Sequence, residues 1–297
     1  MAFTPEGIFT ALVTCFGDDG ALDLPAMRKS VHFQVEQGVQ GVVPLGGTGE
    51  PLSLTVDEAK QVIDAVAEEA NGRLQVVVGA LFASQRDVIE TARHARGAGA
   101  AAVMLIPPYF VMITPAHLKR HLMAVAERVD LPLVLYHGPQ RSGVRLDVDT
   151  LLDLVAAIPS LVAVKDTTGD AYFLSRLVRQ APPRFAVLQG WDELVYPTLA
   201  LGGRGAVLSL GCLVPRALNE LYRAFREGDI EQARDLQYRL LPLAEVIYQE
   251  PNPVPLKKAL ELVGRPAGPT RPPLYPPSAE TVARLTTILP EFASFLE

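Results

Sequence analysis

The chain has 297 residues, 49% of them apolar and 20% charged, a globular balance that excludes disorder as a description of the whole. Lys plus Arg number 27 and Asp plus Glu 33, a net charge of −6 without a basic block, so neither nucleic acid nor an anionic membrane surface is an expected partner. The length suits one α/β barrel or two mid-sized domains.

Short apolar runs alternate with amphipathic stretches along the chain. The first run spans 8–14, and a helix follows over 24–37 with Leu24, Met27, Val31 and Val35 at helical spacing. A second run at 41–45 leads to a helix over 55–70, opened by Thr55 and by Glu58 three residues on, a capping box. Runs at 74–80, 102–106, 131–136, 161–165, 185–189 and 205–210 then take turns with helices at 84–96, 114–128, 147–157, 170–180, 192–201 and 215–227. The runs are near-continuously apolar, as in parallel strands buried on both faces. Eight such units over residues 1–228 predict a (β/α)8 TIM barrel. A doubly wound sheet would need a Gly-rich nucleotide turn after an early strand, and none is convincing. Residues 229–297 read as a C-terminal helical extension, with helices at 229–248, 254–263 and 278–295. The Pro-rich stretch 264–277 reads as an extended surface connection.

Cys15 and Cys212 are too few for a disulfide framework and too far apart for a CxxC motif, so reduced thiols in a cytoplasmic protein are expected. Residues 1–6 carry neither a basic nor an apolar leader region, so no signal peptide is expected. Residues 97–118 lack Asp, Glu, Lys and Arg and could span a bilayer by length. Pro107, Pro108 and Pro115, with Gly97 and Gly99, instead fit a strand, a loop and a helix start.

Barrel active sites lie at the C-terminal ends of the strands. Lys165 ends the run 161–165, where desolvation lowers an amine's pKa and a neutral amine can form a Schiff base with a ketone. Alternatively it points outward or pairs with Asp166. Tyr136 ends the preceding run and can shuttle protons beside Lys165, or simply fill the barrel mouth. The turn Gly46-Gly47-Thr48-Gly49-Glu50 can aim N–H groups at a carboxylate, or be only a tight turn. Arg141 can hold a substrate carboxylate through two parallel hydrogen bonds, or be merely solvated. His117 and His121 lack the Glu of HExxH and are not expected to bind metal. Gly202-Gly203-Arg204-Gly205 lacks the GxGxxG register and marks a turn into the eighth strand.

Together, Ala11-Leu12-Val13-Thr14, Gly46-Gly47-Thr48-Gly49-Glu50, residues 136–143, Val164-Lys165-Asp166 with Thr168-Gly169, and the segment 250–257 resemble the dihydrodipicolinate synthase and N-acetylneuraminate lyase family of class I aldolases. The resemblance covers essentially the whole chain. It implies a Schiff base between Lys165 and pyruvate, and Tyr136 as proton donor and acceptor. It also implies a 2-oxo acid carboxylate held at Gly47 and Thr48, a backbone contact from Val207, no metal or organic cofactor, and a homotetramer.

Arg141 matches the synthase residue that binds the carboxylate of the aldehyde co-substrate, which favours a synthase resembling 4-hydroxy-tetrahydrodipicolinate synthase. Gly47 replaces a threonine of the synthase turn, and Phe110 stands where a relay tyrosine crosses a subunit interface. Those departures keep open an aldolase or dehydratase of a 2-oxo-3-deoxy sugar acid or hydroxylated 2-oxo acid, and a non-catalytic 2-oxo acid binder. Pro51, Leu52, Val56 and Ala59 replace the polar residues of lysine-inhibited synthases, so feedback by lysine is not expected.

Overall fold

Runs dominated by Val, Leu, Ile and Ala form strands because both faces are buried and every backbone group finds a partner in a neighbouring strand. The computed structural model describes residues 3, 5–111, 113–265 and 267–296. The expectation for the N-terminus therefore falls partly on residues outside that set (Met1, Ala2 and Thr4), as do Met112 of the 97–118 stretch and Pro266 of the Pro-rich segment.

The strands are β1 (Gly7–Ala11), β2 (Gly41–Val43), β3 (Gln75–Gly79), β4 (Ala102–Leu105), β5 (Leu133–His137), β6 (Leu161–Asp166), β7 (Ala186–Gln189) and β8 (Gly205–Leu208). They pair in chain order, all parallel, and β1 closes on β8 with Phe9 opposite Val207. The (β/α)8 barrel read from the sequence is the observed architecture.

Side-chain alternation divides the core in two. Val134, Tyr136, Ala163, Ala186, Leu188 and Val207 fill the barrel interior. Leu133, Leu135, Val164, Val187, Ala206 and Leu208 face the surrounding helices. Residue 165 therefore points inward and residue 166 outward, and this parity decides the chemistry.

The helices of the ring are α1 (Leu24–Glu36), α2 (Val56–Ala70), α3 (Gln85–Gly97), α4 (Pro115–Ala126), α5 (Pro139–Ser142), α6 (Val148–Ala157), α7 (Ala171–Gln180), α8 (Val195–Ala200) and α9 (Pro215–Glu227). Asp23, Thr55, Ser84, Thr114, Asp147 and Asp170 each cap a helix through the side chain, and the Thr55–Glu58 box is complete. Each such cap contributes about 1 kcal/mol.

One expected helix is broken. Asp192–Leu194 is a 3-10 turn before α8, because the Asp192 carboxylate accepts the N–H groups of Ser209 and Leu210 instead of capping its own helix. Stretch 97–118 divides into the end of α3, strand β4, a loop and the start of α4. No helix among the described residues is long and apolar enough to cross a membrane.

Beyond α9 come α10 (Ile230–Ile247), α11 (Val254–Leu262), α12 (Ala279–Ile288) and α13 (Ala293–Leu296). The stretch expected as one helix over 278–295 divides at Pro290, which opens the 3-10 turn Leu289–Phe292. The Pro-rich segment does more than connect. Arg271 donates its backbone N–H to Glu50 (2.9 Å) and its guanidinium to the carbonyls of Gly20 and Ser53 (both 2.8 Å). Buried carbonyls need donors, and this arginine supplies several at once.

Candidate active site

The mouth of the barrel holds a cavity of about 300 Å³, lined by Gly47, Tyr136, Arg141, Asn252, Pro273 and Leu274 among others. Strand β5 delivers Tyr136 and β6 delivers Lys165, which face each other directly in the β5–β6 register. The ammonium nitrogen of Lys165 lies 4.7 Å from the centre of the Tyr136 ring. Burial lowers the Lys165 pKa to about 8, with the Asp192 carboxylate opposing that shift and Arg141 adding to it. The amine is thus far more nucleophilic near neutrality than an exposed lysine.

Two glycines make the room. A Cβ on Gly190 would meet Lys165 Cε at 2.6 Å and Thr167 Cγ2 at 2.4 Å. One on Gly138 would stand 3.0 Å from the Tyr136 ring. Each strand end is therefore kept bare where the Lys165 or Tyr136 side chain passes.

Tyr136 is held by Thr167 and Arg141. Burial raises its phenol pKa, and hydrogen bonds from Thr167 and Arg141 oppose the rise. Arg141 sits on α5, a single turn started by Pro139 and closed by Gly143 in the left-handed region (φ 72°). It is exposed at the rim, where a ligand carboxylate can reach it.

Asp166 does not pair with Lys165. It faces outward and accepts a hydrogen bond from Nδ1–H of buried His137 at 2.9 Å, while Leu146 N–H donates to Nε2 of the same ring. That network assigns the neutral Nδ1–H tautomer. Asp166 also accepts the Thr168 hydroxyl at 2.7 Å. The pair thus fastens β5 to β6 behind Tyr136 and Lys165.

After β2, Gly47–Gly49 forms a 3-10 turn, and Glu50 follows in the left-handed region (φ 52°). Inside this turn the Thr48 hydroxyl lies 2.8 Å from Ser209 Oγ and accepts Asn252 Nδ2–H at 3.0 Å. Thr48 is thus joined to Ser209 and Asn252, whereas Tyr136 is joined to Thr167 and Arg141. Gly47 has open space where a side chain would stand. Val207 lines the interior two residues before Ser209.

Reading motifs alone missed several residues that converge here, namely Thr167, Asp192, Ser209 and Tyr248. Only Ser209 carried a local signal, since it shares the inward parity of Val207. Among the described residues no group of three or more His, Cys, Asp or Glu is arranged to hold a metal ion.

The sequence model of the dihydrodipicolinate synthetase family matches residues 4–291. A 4-hydroxy-tetrahydrodipicolinate synthase of Methanothrix thermoacetophila is 40% identical over 96% of this chain and 96% of its own. One of Methanopyrus kandleri is 38% identical over 92% of each chain. The crystal structure of dihydrodipicolinate synthase from Aquifex aeolicus superposes with a TM-score of 0.94 at 32% identity, covering 98% of this chain and 99% of that one. With the fold and nearly the full length in agreement, the chain belongs to the dihydrodipicolinate synthetase family.

Proposed function

We propose that the chain condenses pyruvate with an aldehyde that carries its own carboxylate, through a Schiff base on Lys165. This is the activity for which its relatives are named, 4-hydroxy-tetrahydrodipicolinate synthase. The observation that carries the reading is Lys165 itself, turned into the barrel, desolvated, and facing Tyr136 across one strand pair.

In this reading the neutral amine attacks the pyruvate keto carbon, and Tyr136 moves the protons of carbinolamine formation and dehydration. The N–H groups of the Gly47–Thr48 turn hold the 2-oxo acid carboxylate, with the Thr48 hydroxyl beside it and the Val207 backbone on the opposite wall. Arg141 takes the carboxylate of the aldehyde at the rim. The lysine supplies the covalent chemistry, so no metal or organic cofactor enters the scheme. The working form is a homotetramer in the cytoplasm. Phe110, 95% exposed with Val111 beside it, supports a subunit contact at this face.

Borohydride reduction in the presence of pyruvate, read by intact mass and peptide mapping, tests the reading. A reduced pyruvyl adduct on Lys165, absent in Lys165→Ala, is expected, together with consumption of aspartate semialdehyde. Release of pyruvate from a 2-oxo-3-deoxy sugar acid instead would favour the aldolase reading, which the open space at Gly47 supports. Binding of pyruvate without an adduct would favour a non-catalytic binder.

A further inference from the structure

The connection between α11 and α12 is held more firmly than a link requires. Residues 267–277 form neither helix nor strand, so contacts outside the segment must fix it. Ala267 accepts the Phe16 N–H at 3.1 Å, and Pro269 accepts the Lys257 ammonium at 2.8 Å. Arg271 gives Nε–H to the Gly20 carbonyl, Nη1–H to the Ser53 carbonyl and Nη2–H to Glu58 at 2.6 Å. Its guanidinium carbon lies 4.3 Å from the centre of the Phe16 ring, and its backbone N–H goes to Glu50. At the far end Ser278 donates its N–H to Glu250 at 3.0 Å. Pro272, Pro273, Pro276 and Pro277 narrow the backbone freedom that remains.

What these anchors hold in place is the tip of the segment. Leu274 N–H turns back to the Arg271 carbonyl at 3.1 Å. Pro273 and Leu274 then line the same cavity as Tyr136 and Arg141, and Pro51, Leu52 and Pro251 line it with them. Pro273 is exposed and Leu274 half-buried, so the tip still has apolar surface to give to a ligand. These five side chains offer neither donor nor acceptor. An aldehyde whose carboxylate rests on Arg141 shares the cavity with this apolar surface. A methylene group gains by such contact, whereas a hydroxyl pressed on it gives up water and finds no partner.

Resting on the Schiff-base reading, we propose that Pro273 and Leu274 are a specificity-determining wall of the aldehyde site, and that Arg271 is the residue that positions them. The wall selects a short carboxylated aldehyde over a polyhydroxylated one. The strand ends of the barrel carry out the condensation, and the C-terminal extension decides which aldehyde takes part in it. Arg271 acts only through the wall, since all of its contacts are with protein groups around the mouth.

The test compares aspartate semialdehyde with glyceraldehyde, each at saturating pyruvate, on the full chain, beside borohydride trapping of pyruvate. Wild type is expected to favour aspartate semialdehyde. Leu274→Asn keeps the size of the side chain and puts an amide on the wall. It is expected to lower kcat/KM for aspartate semialdehyde about tenfold and to raise it for glyceraldehyde, while trapping changes far less. Arg271→Lys keeps a charge for Glu58 but cannot also serve the Gly20 and Ser53 carbonyls. It is expected to raise KM for aspartate semialdehyde about tenfold with kcat nearly unchanged. Should Arg271→Lys fail to fold, Leu274→Asn carries the test alone. A wild-type ratio of the two aldehydes in Leu274→Asn overturns the wall. So does a fall in both aldehydes and in trapping alike, which marks loss of structure only, and so does a wild type that prefers glyceraldehyde. A wild type that traps no pyruvate overturns the Schiff-base reading instead, an outcome distinct from an unchanged ratio in a chain that traps and condenses.

Discussion

Glu50 and Lys257 form an ion pair of 2.7 Å that is almost wholly out of solvent, joining the turn after β2 to helix α11. Lys257 also donates to the Pro269 carbonyl at 2.8 Å, and Arg271 N–H donates to the second oxygen of Glu50. The C-terminal extension is thereby fastened to the same five-residue turn that carries Thr48. Asn252, on the link between α10 and α11, reaches the Thr48 hydroxyl directly.

Removing one partner of a buried pair strands the other charge, at a cost of about 3–5 kcal/mol. Lys257→Ala is expected to lower stability by that amount in urea unfolding. Its adduct yield is also expected to fall, because the Gly47–Gly49 turn loses its anchor. Unchanged unfolding would mean that the pair contributes nothing net.

The depressed pKa of Lys165 is a stability penalty with a defined pH range. The folded value is about 8 and the unfolded one 10.5, so the penalty is complete below about 8. It disappears as pH rises toward 10.5, because only the unfolded state then binds the proton. Lys165→Met is expected to be more stable than wild type at pH 7 by about 3 kcal/mol, with the gap closing above pH 8. Parallel unfolding curves at pH 7 and pH 10 measure this. A gap that widens with pH would contradict it.

Gly190→Ala places a methyl group within 2.6 Å of Lys165 Cε and 2.4 Å of Thr167 Cγ2. Crowding of this kind costs about 1–3 kcal/mol and displaces the lysine. Pyruvate trapping is expected to drop at least tenfold while circular dichroism stays native. Normal trapping would show that the strand end yields more easily than its contacts indicate.

Arg141→Ala is expected to lower kcat/KM for a carboxylated aldehyde by about 100-fold, because a charge-assisted hydrogen-bond pair is lost. Pyruvate trapping is expected to change far less. Arg141→Lys restores the charge without the planar fork and should recover only part of the loss. Equal kinetics with aldehydes that lack the carboxylate would assign Arg141 to Tyr136 alone.

Millimolar lysine is expected to leave the initial rate unchanged. Pro51 and Ala59 are buried and Leu52 is exposed, and none of these side chains, nor Val56, offers a charge or hydrogen-bond group to an amino acid. Measured inhibition would place a lysine site elsewhere in the molecule.

Much of the molecule was readable along the chain. Eight apolar runs, the Thr55 box and the Asp and Ser caps are local features set by neighbouring residues, so the strands and the ring helices other than the single turn α5 lie within a few residues of their expected places. Lys165, Tyr136 and Arg141 stood out because each ends or follows a run, and the barrel puts such positions at one mouth. The break at Asp192 did not stand out, since a capping residue looks the same whether it caps its own helix or a distant loop.

What only the folded chain decided is the company these residues keep. Asp166 turned to His137 and left Lys165 alone, through strand parity. Thr48 met Ser209 and Asn252, 161 and 204 residues away, and Tyr248 met Asp192 across 56. Periodicity and capping propagate over a turn or two of chain, whereas barrel closure and the return of the C-terminal extension bring distant side chains into hydrogen-bonding range. The amino-acid sequence by itself determined the barrel and its strand-end lysine; tertiary structure decided which hydroxyls and carboxylates surround that lysine, because those contacts exist only once the barrel closes.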